Sequence, residues 1–92
     1  MKLANQFEIT GDNGESTFQS YNTTIAKKQG YVYTVSGDYN YSNTTNRYFG
    51  QWLREYGWTE EEIKTLKKWL TKATEGDTLE VGNCKVVYIN EL

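Results

Sequence analysis

Alternation of apolar and polar positions dominates the first third of the chain. Leu3, Phe7 and Ile9 stand among polar neighbours at a loose period of two, and Thr10-Gly11-Asp12-Asn13-Gly14 then reads as a turn. Ser16 to Tyr21 resumes as a second strand and Thr23 to Lys28 as a third. Gln29-Gly30 closes that third strand, and Tyr31 to Val35 returns as its hairpin partner. The stretch predicts a β-meander, broken at Ser36-Gly37-Asp38.

The period then lengthens. Tyr48, Phe49, Trp52, Leu53 and Tyr56 recur at helical spacing, and Ser42 with Asn43-Thr44-Thr45 offers several candidate N-caps. Gly57 supplies a stop, being free to take the left-handed conformation. Thr59, followed three residues later by Glu62, forms a capping box, and Trp58 is placed to staple onto Ile63. Glu60-Glu61-Glu62 fall at the positive end of this second helix, with Lys67, Lys68 and Lys72 toward its negative end. Its apolar stripe is Ile63, Leu66, Leu70 and Ala73, with Trp69 on the flank and Gly76 as the stop. Asp77 to Val81 and Lys85 to Ile89 then pair across Gly82-Asn83.

Strands, two helices and two strands predict an α+β domain: an antiparallel sheet, made of the meander and the C-terminal hairpin, covered on one face by two helices. The 92 residues form a single domain, with no proline, repeat or low-complexity run to mark a linker.

Composition narrows the chemistry. With 37% apolar and 24% charged residues the chain is a soluble, folded type, and no stretch approaches the roughly 18 apolar residues of a membrane span. Met1-Lys2-Leu3-Ala4 leads into no apolar signal core. Histidine is absent and Cys84 is the sole cysteine, so an intrachain disulfide, a Cys/His zinc site, a Ser-His-Asp triad and a histidine base are all excluded. Cys84 itself reads as a buried structural thiol. The consecutive carboxylates Glu60, Glu61 and Glu62 point in different directions on a helix and cannot converge on one ion. Asp12-Asn13-Gly14-Glu15 lacks the twelfth-position ligand of a calcium loop. The glycosylation-type triplets Asn22-Thr23-Thr24, Asn40-Tyr41-Ser42 and Asn43-Thr44-Thr45 have no secretory route to modification. No catalytic residue, cofactor or metal is therefore expected, and the chain is read as a non-enzyme.

Charge and aromatic content point toward binding. Net charge is −2, but residues 43–72 carry six bases against four acids and residues 73–92 one against four. Eight of the fourteen aromatic residues are tyrosines, and Tyr31, Tyr33, Tyr39 and Tyr41 lie within eleven positions. Tyrosine offers a stiff, amphipathic contact surface, and in a strand at most half of such residues can face the core, so some are expected on the surface. The run from Tyr39 to Tyr48 feeds a helix N-terminus. Ser42, Thr44, Thr45 and Arg47 would either cap that helix or hold an anion there.

Three segments carry a resemblance: Phe18-Gln19-Ser20-Tyr21-Asn22-Thr23-Thr24-Ile25-Ala26, then Tyr41-Ser42-Asn43-Thr44-Thr45, then Trp52-Leu53. Together they resemble a family of short uncharacterised phage and mobile-element proteins. In that family a Ser-Tyr-Asn-Thr…Ile-Ala strand precedes a Trp-Asp-Tyr-Ser-x-Thr-Thr turn and a helix. The likeness spans about residues 18–53, and this chain departs from it at Tyr39-Asn40 and at Trp52. The resemblance implies a phage accessory protein acting in the cytoplasm of a bacterial host, a setting in which small proteins inhibit host defence, anti-CRISPR proteins among them.

Two functional readings follow. In the first, the chain binds and blocks a host defence protein or ribonucleoprotein complex. Its contacts would be Tyr31, Tyr33, Tyr39, Tyr41, Thr44 and Arg47, joined by the acids Asp77, Glu80 and Glu91. In the second, it is a nucleic-acid-binding module whose sheet tyrosines stack bases while Arg47, Arg54, Lys64, Lys67, Lys68 and Lys72 engage the backbone. A homo-oligomer using the same aromatics as its interface is a third reading. No membrane partner is expected.

Overall fold

Hydrogen-bonded strands account for both ends of the chain. The computed structural model describes residues 2–3, 6–11 and 13–92, with side chains from Glu8 onward. Strands β1 (Lys2–Leu3), β2 (Gln6–Thr10), β3 (Glu15–Ser20), β4 (Thr23–Gln29) and β5 (Val32–Ser36) form a meander, each antiparallel to the last. It has one strand more than predicted, because Leu3 and Ile9 lie on two paired strands instead of one. A short 3-10 turn (Gly37–Asn40) leads to α1 (Asn43–Glu55) and α2 (Glu60–Leu70). The hairpin β6 (Thr78–Val81) and β7 (Cys84–Ile89) completes a seven-stranded sheet of order β1-β2-β3-β4-β5-β7-β6. Of the alternating set Leu3, Phe7 and Ile9, the side chains of the first two lie outside the described residues, as does Asp12 of the turn, and Ile9 is exposed.

One pairing departs from the antiparallel expectation. β7 lies parallel to β5, in register from Val32 opposite Lys85 to Ser36 opposite Ile89. The two helices bring the chain back to the end of the sheet where β5 stops, and β6 then runs antiparallel to the start of β7, so helices and strand together make the long connection a parallel pair needs. β6 occupies the edge instead.

Alternation sorts the sheet into two faces. Ser16, Phe18 and Ser20 of β3 point inward together with Ala26, Tyr33, Val35 and Val86. Thr17, Lys27, Val32, Thr34 and Lys85 take the intervening positions on the open face. A bulge opposite Phe18 and Gln19 admits Ile25 as an extra residue, so Ile25 and Ala26 are buried consecutively. Phe49, Trp52 and Leu53 from α1, with Ile63, Leu66 and Leu70 from α2, close the core from the other side. Trp52 is its hub, with ring centroids 6.1 Å from Phe18, 6.3 Å from Phe49 and 5.7 Å from Tyr33.

The helix ends follow local chemistry. Ser42 is the N-cap of α1, its Oγ accepting from the Thr45 N–H at 3.1 Å. At the other end Gly57 has φ 89°, its N–H donates to the Arg54 carbonyl, and the Trp58 N–H donates to the Leu53 carbonyl. That paired geometry is a Schellman cap, which requires the left-handed glycine. The Thr59–Glu62 capping box forms as expected, with Trp58 and Ile63 in the same buried cluster. The end of α2 does not match the expectation. The helix stops at Leu70, where the Thr71 hydroxyl donates to the Lys68 carbonyl, and Ala73 lies beyond it. Gly76 serves a later turn, its N–H donating to the Tyr88 carbonyl.

Candidate functional site

The residues expected to bind a partner divide among three places. Tyr33 and Tyr39 belong to the core and are not contact residues. Tyr33 shares the inward face of β5 with Val35, is 1% exposed, and meets Trp58 edge-on at 5.2 Å. Tyr39 is tucked beneath α1 by the 3-10 turn, its ring 5.8 Å from Phe49. Burial pushes the Tyr33 hydroxyl up to about 12 and raises that of Tyr39 as well. Tyr31 and Tyr41, by contrast, are each 71% exposed.

Tyr41, Thr44 and Arg47 stand at the end of the sheet where β3 turns into β4 and α1 begins. They are joined there by Tyr21, which the sequence reading did not single out. Tyr21 occupies the β3–β4 turn with φ 55°, a left-handed conformation uncommon for a bulky side chain, and it is half exposed. Its ring lies 6.5 Å from that of Tyr41. Beneath the pair, Ser20 Oγ lies 2.9 Å from Thr45 Oγ1, and the Ser42 hydroxyl donates to Thr45 Oγ1 at 3.1 Å. Thr45 and Ser20 are buried, so of the candidate anion holders Thr45 serves the cap and the core. The Arg47 guanidinium sits over the neighbouring Tyr48 ring, 5.0 Å from its centroid. Asp77 is at this end of the molecule too, but its carboxylate accepts from the Thr74 N–H and hydroxyl and so closes its own turn.

Tyr31 and Glu80 lie toward the opposite end, roughly 20 Å away along the seven residues of β4. Here the β4–β5 turn, the α1–α2 connection and the β6–β7 turn surround an aromatic cleft. One hollow of about 370 Å³ is lined by Lys28, Gly30, Tyr31, Tyr33, Tyr56 and Cys84. A second, of about 200 Å³, shares Tyr31, Tyr56 and Cys84 and extends to Trp58, Glu62 and Asn83. The Lys28 ammonium rests over Tyr56, 4.7 Å from the ring centroid, and forms no ion pair among the described residues. Gly82, with φ 57°, lets the β6–β7 turn approach the Glu62 carboxylate so closely that a Cβ would lie 2.7 Å from it. Cys84 is half-buried rather than fully buried. Burial and the Glu62 carboxylate raise its thiol pKa, while Lys28 pulls the other way. Trp58 Nε1 is sealed from solvent and has no hydrogen-bond partner within bonding geometry among the described residues.

A polar cluster links β2 and β3 to α1 behind the cleft. The Ser16 and Tyr56 hydroxyls both donate to the Glu8 carboxylate, and the Trp52 indole N–H donates to Ser16 Oγ at 3.0 Å. Burial works against the Glu8 charge, but the two hydroxyls outweigh it and hold the carboxyl below its usual range. This network anchors the sheet to the helix and fixes Tyr56, the one member that also lines the cleft hollows.

The basic helical face is partly committed. Lys67 donates to the Asn46 carbonyl at 3.0 Å and to its side-chain oxygen at 2.6 Å, tying α2 to α1. Arg54 is paired with Glu60. Among the described residues no group of three or more His, Cys, Asp or Glu side chains could hold a metal ion, and no helix is long and apolar enough to cross a membrane.

Among curated proteins and among solved structures nothing matches the chain. A family model described as a family of unknown function matches residues 1–75, which reach from the meander through α2 and leave out the C-terminal hairpin. The chain belongs to that family of unknown function, DUF8033.

Proposed function

We propose that the chain is a non-catalytic binding protein that docks on a host defence protein through the Tyr21–Tyr41 end and blocks it sterically, as an anti-CRISPR protein would. The observation that carries this reading is the exposed ring pair, 50% and 71% open to solvent, standing on a backbone fixed by buried hydroxyls. Rigid, exposed tyrosines lose little entropy on binding and bury large amphipathic surface. Thr44 and Arg47 extend the same end with a hydroxyl and a cation. The host setting rests on the resemblance of the Ser20–Ala26 and Tyr41–Thr45 segments to phage accessory proteins.

Steric blocking fits better than imitation of nucleic acid. Asp77 is occupied by Thr74, and Glu80 stands opposite Lys85 in the sheet register, so no concentrated acidic surface results. The nucleic-acid reading is weakened in turn, because Tyr33 and Tyr39 are unavailable for stacking and Lys67 and Arg54 are engaged.

The test is a tagged pull-down from nuclease-treated lysate of bacteria carrying CRISPR systems, comparing wild type with Tyr21→Ala/Tyr41→Ala. Near-stoichiometric capture of a defence protein by wild type, lost in the double variant and retained in Tyr31→Ala, is the expected result. Undiminished capture by the double variant would remove this surface from the interface. Recovery of nucleic acid alone, abolished by nuclease or added salt, would replace the reading with the nucleic-acid module.

A further inference from the structure

The cleft at the opposite end of the sheet has a chemistry of its own. Tyr31 and Tyr56 line it, and Lys28 holds a positive charge over the Tyr56 ring. The Lys28 ammonium lies 4.7 Å from the Tyr56 centroid and 5.9 Å from that of the buried Tyr33, so two ring contacts order its stem before any ligand arrives. No carboxylate among the described residues lies within ion-pair distance of it. Glu62, the acid bordering the second hollow, is turned toward Thr59 and Gly82, accepting from the Thr59 N–H at 2.9 Å. A hollow of about 370 Å³ falls within the range that holds small organic molecules.

We propose that this cleft binds a small planar organic anion, its carboxylate or phosphate on the Lys28 ammonium and its ring against Tyr31 and Tyr56. The anion supplies the counter-charge that the protein leaves out. Its flat body covers aromatic surface that is otherwise wet, above all the Tyr31 ring. Three chain segments meet here: the end of β4, the end of α1 and the start of β7. Occupancy therefore clamps the C-terminal hairpin to the meander. This site is independent of the Tyr21–Tyr41 surface, and neither reading needs the other.

The experiment is an amide and side-chain NMR titration of the full chain with four probes: a nucleoside monophosphate, an aromatic carboxylate of two fused rings, the neutral nucleoside and inorganic phosphate. The expected result is saturable shifts confined to Gly30, Tyr31, Gly57, Asn83 and Cys84 for one or both planar anions. The nucleoside and inorganic phosphate should each bind at least about tenfold more weakly. Tighter binding of the monophosphate names a nucleotide-type ligand; tighter binding of the carboxylate names an aromatic acid. Lys28→Gln should weaken the preferred anion by about tenfold while Lys28→Arg retains it. Tyr31→Ala, at an exposed position that cannot unfold the core, should weaken it too. Absence of saturable shifts with either planar anion would overturn the proposal. So would equal affinity in wild type, Lys28→Gln and Tyr31→Ala.

Discussion

Ser20 and Thr45, twenty-five positions apart, bring their hydroxyl oxygens to 2.9 Å in a buried setting, joining the end of β3 to the first turn of α1. Two of the three segments that carry the resemblance to phage proteins thus form one structural unit. Ser42 caps the helix, Thr45 receives its hydroxyl, and Tyr21 and Tyr41 meet just outside. The hydroxyl residues fix the backbone, and the tyrosines are left to face the solvent.

Replacing Thr45 with valine keeps the shape and removes the oxygen. The expected cost is about 1–2 kcal/mol, from loss of the buried hydroxyl pair. Urea denaturation followed by tryptophan fluorescence measures it. A loss below about 0.3 kcal/mol would show that the pair contributes no net stability.

Tyr39 and Tyr41 should behave oppositely despite their spacing of two. Tyr39→Ala opens a cavity beneath α1 next to Phe49 and should cost about 3–5 kcal/mol. Tyr41→Ala removes an exposed ring and should stay within about 0.5 kcal/mol. Comparable effects in thermal or urea melts would contradict the assigned burial.

Leu66 is fully buried in the inner row of α2. Its replacement by alanine should cost about 2–5 kcal/mol, without altering the Tyr21–Tyr41 surface. Partner capture by the folded fraction should be unchanged, and a selective loss of capture would place α2 in the interface.

Stability should fall on acidification through Glu8. The carboxyl is held below its ordinary 4.5 by Ser16 and Tyr56 despite opposing burial, so the folded state binds that proton less readily than the unfolded one. The contribution is complete above 4.5 and fades as pH drops through the lower folded value. Unfolding free energies of wild type and Glu8→Gln should therefore converge as pH falls from about 6 to about 3. Parallel curves would mean that the Glu8 charge is not coupled to folding.

At the alkaline end the sign reverses. Tyr33 is held neutral by burial, its hydroxyl raised from 10.0 to about 12, so its contribution is intact below pH 10.0 and lost as pH climbs toward 12. Tyr33→Phe should lose less stability than wild type across that interval. Tyrosinate absorbance would show one late-titrating phenol missing from the variant.

Much of this architecture can be read from the chain because local physics dictates it. Period-two alternation marks Ser16, Phe18 and Ser20 as one face of a strand. The Thr59–Glu62 box and the Gly57 stop are chemistry between near neighbours. Capping and turn formation need only a few adjacent residues, and the α+β order follows from them. Other features required distant segments to meet. The parallel pairing of β5 with β7 arises only when both helices have packed on the sheet and β6 has run back to the start of β7. Nothing local separates Tyr31 from Tyr33 or Tyr39 from Tyr41, because burial depends on what lies opposite: Trp58 and Trp52 over Tyr33, Phe49 over Tyr39, water over the other two. The cleft is likewise a product of three turns from separate parts of the sequence. Lys28, Tyr56 and Cys84 acquire a common chemistry only through the sheet and the helix that bring them together.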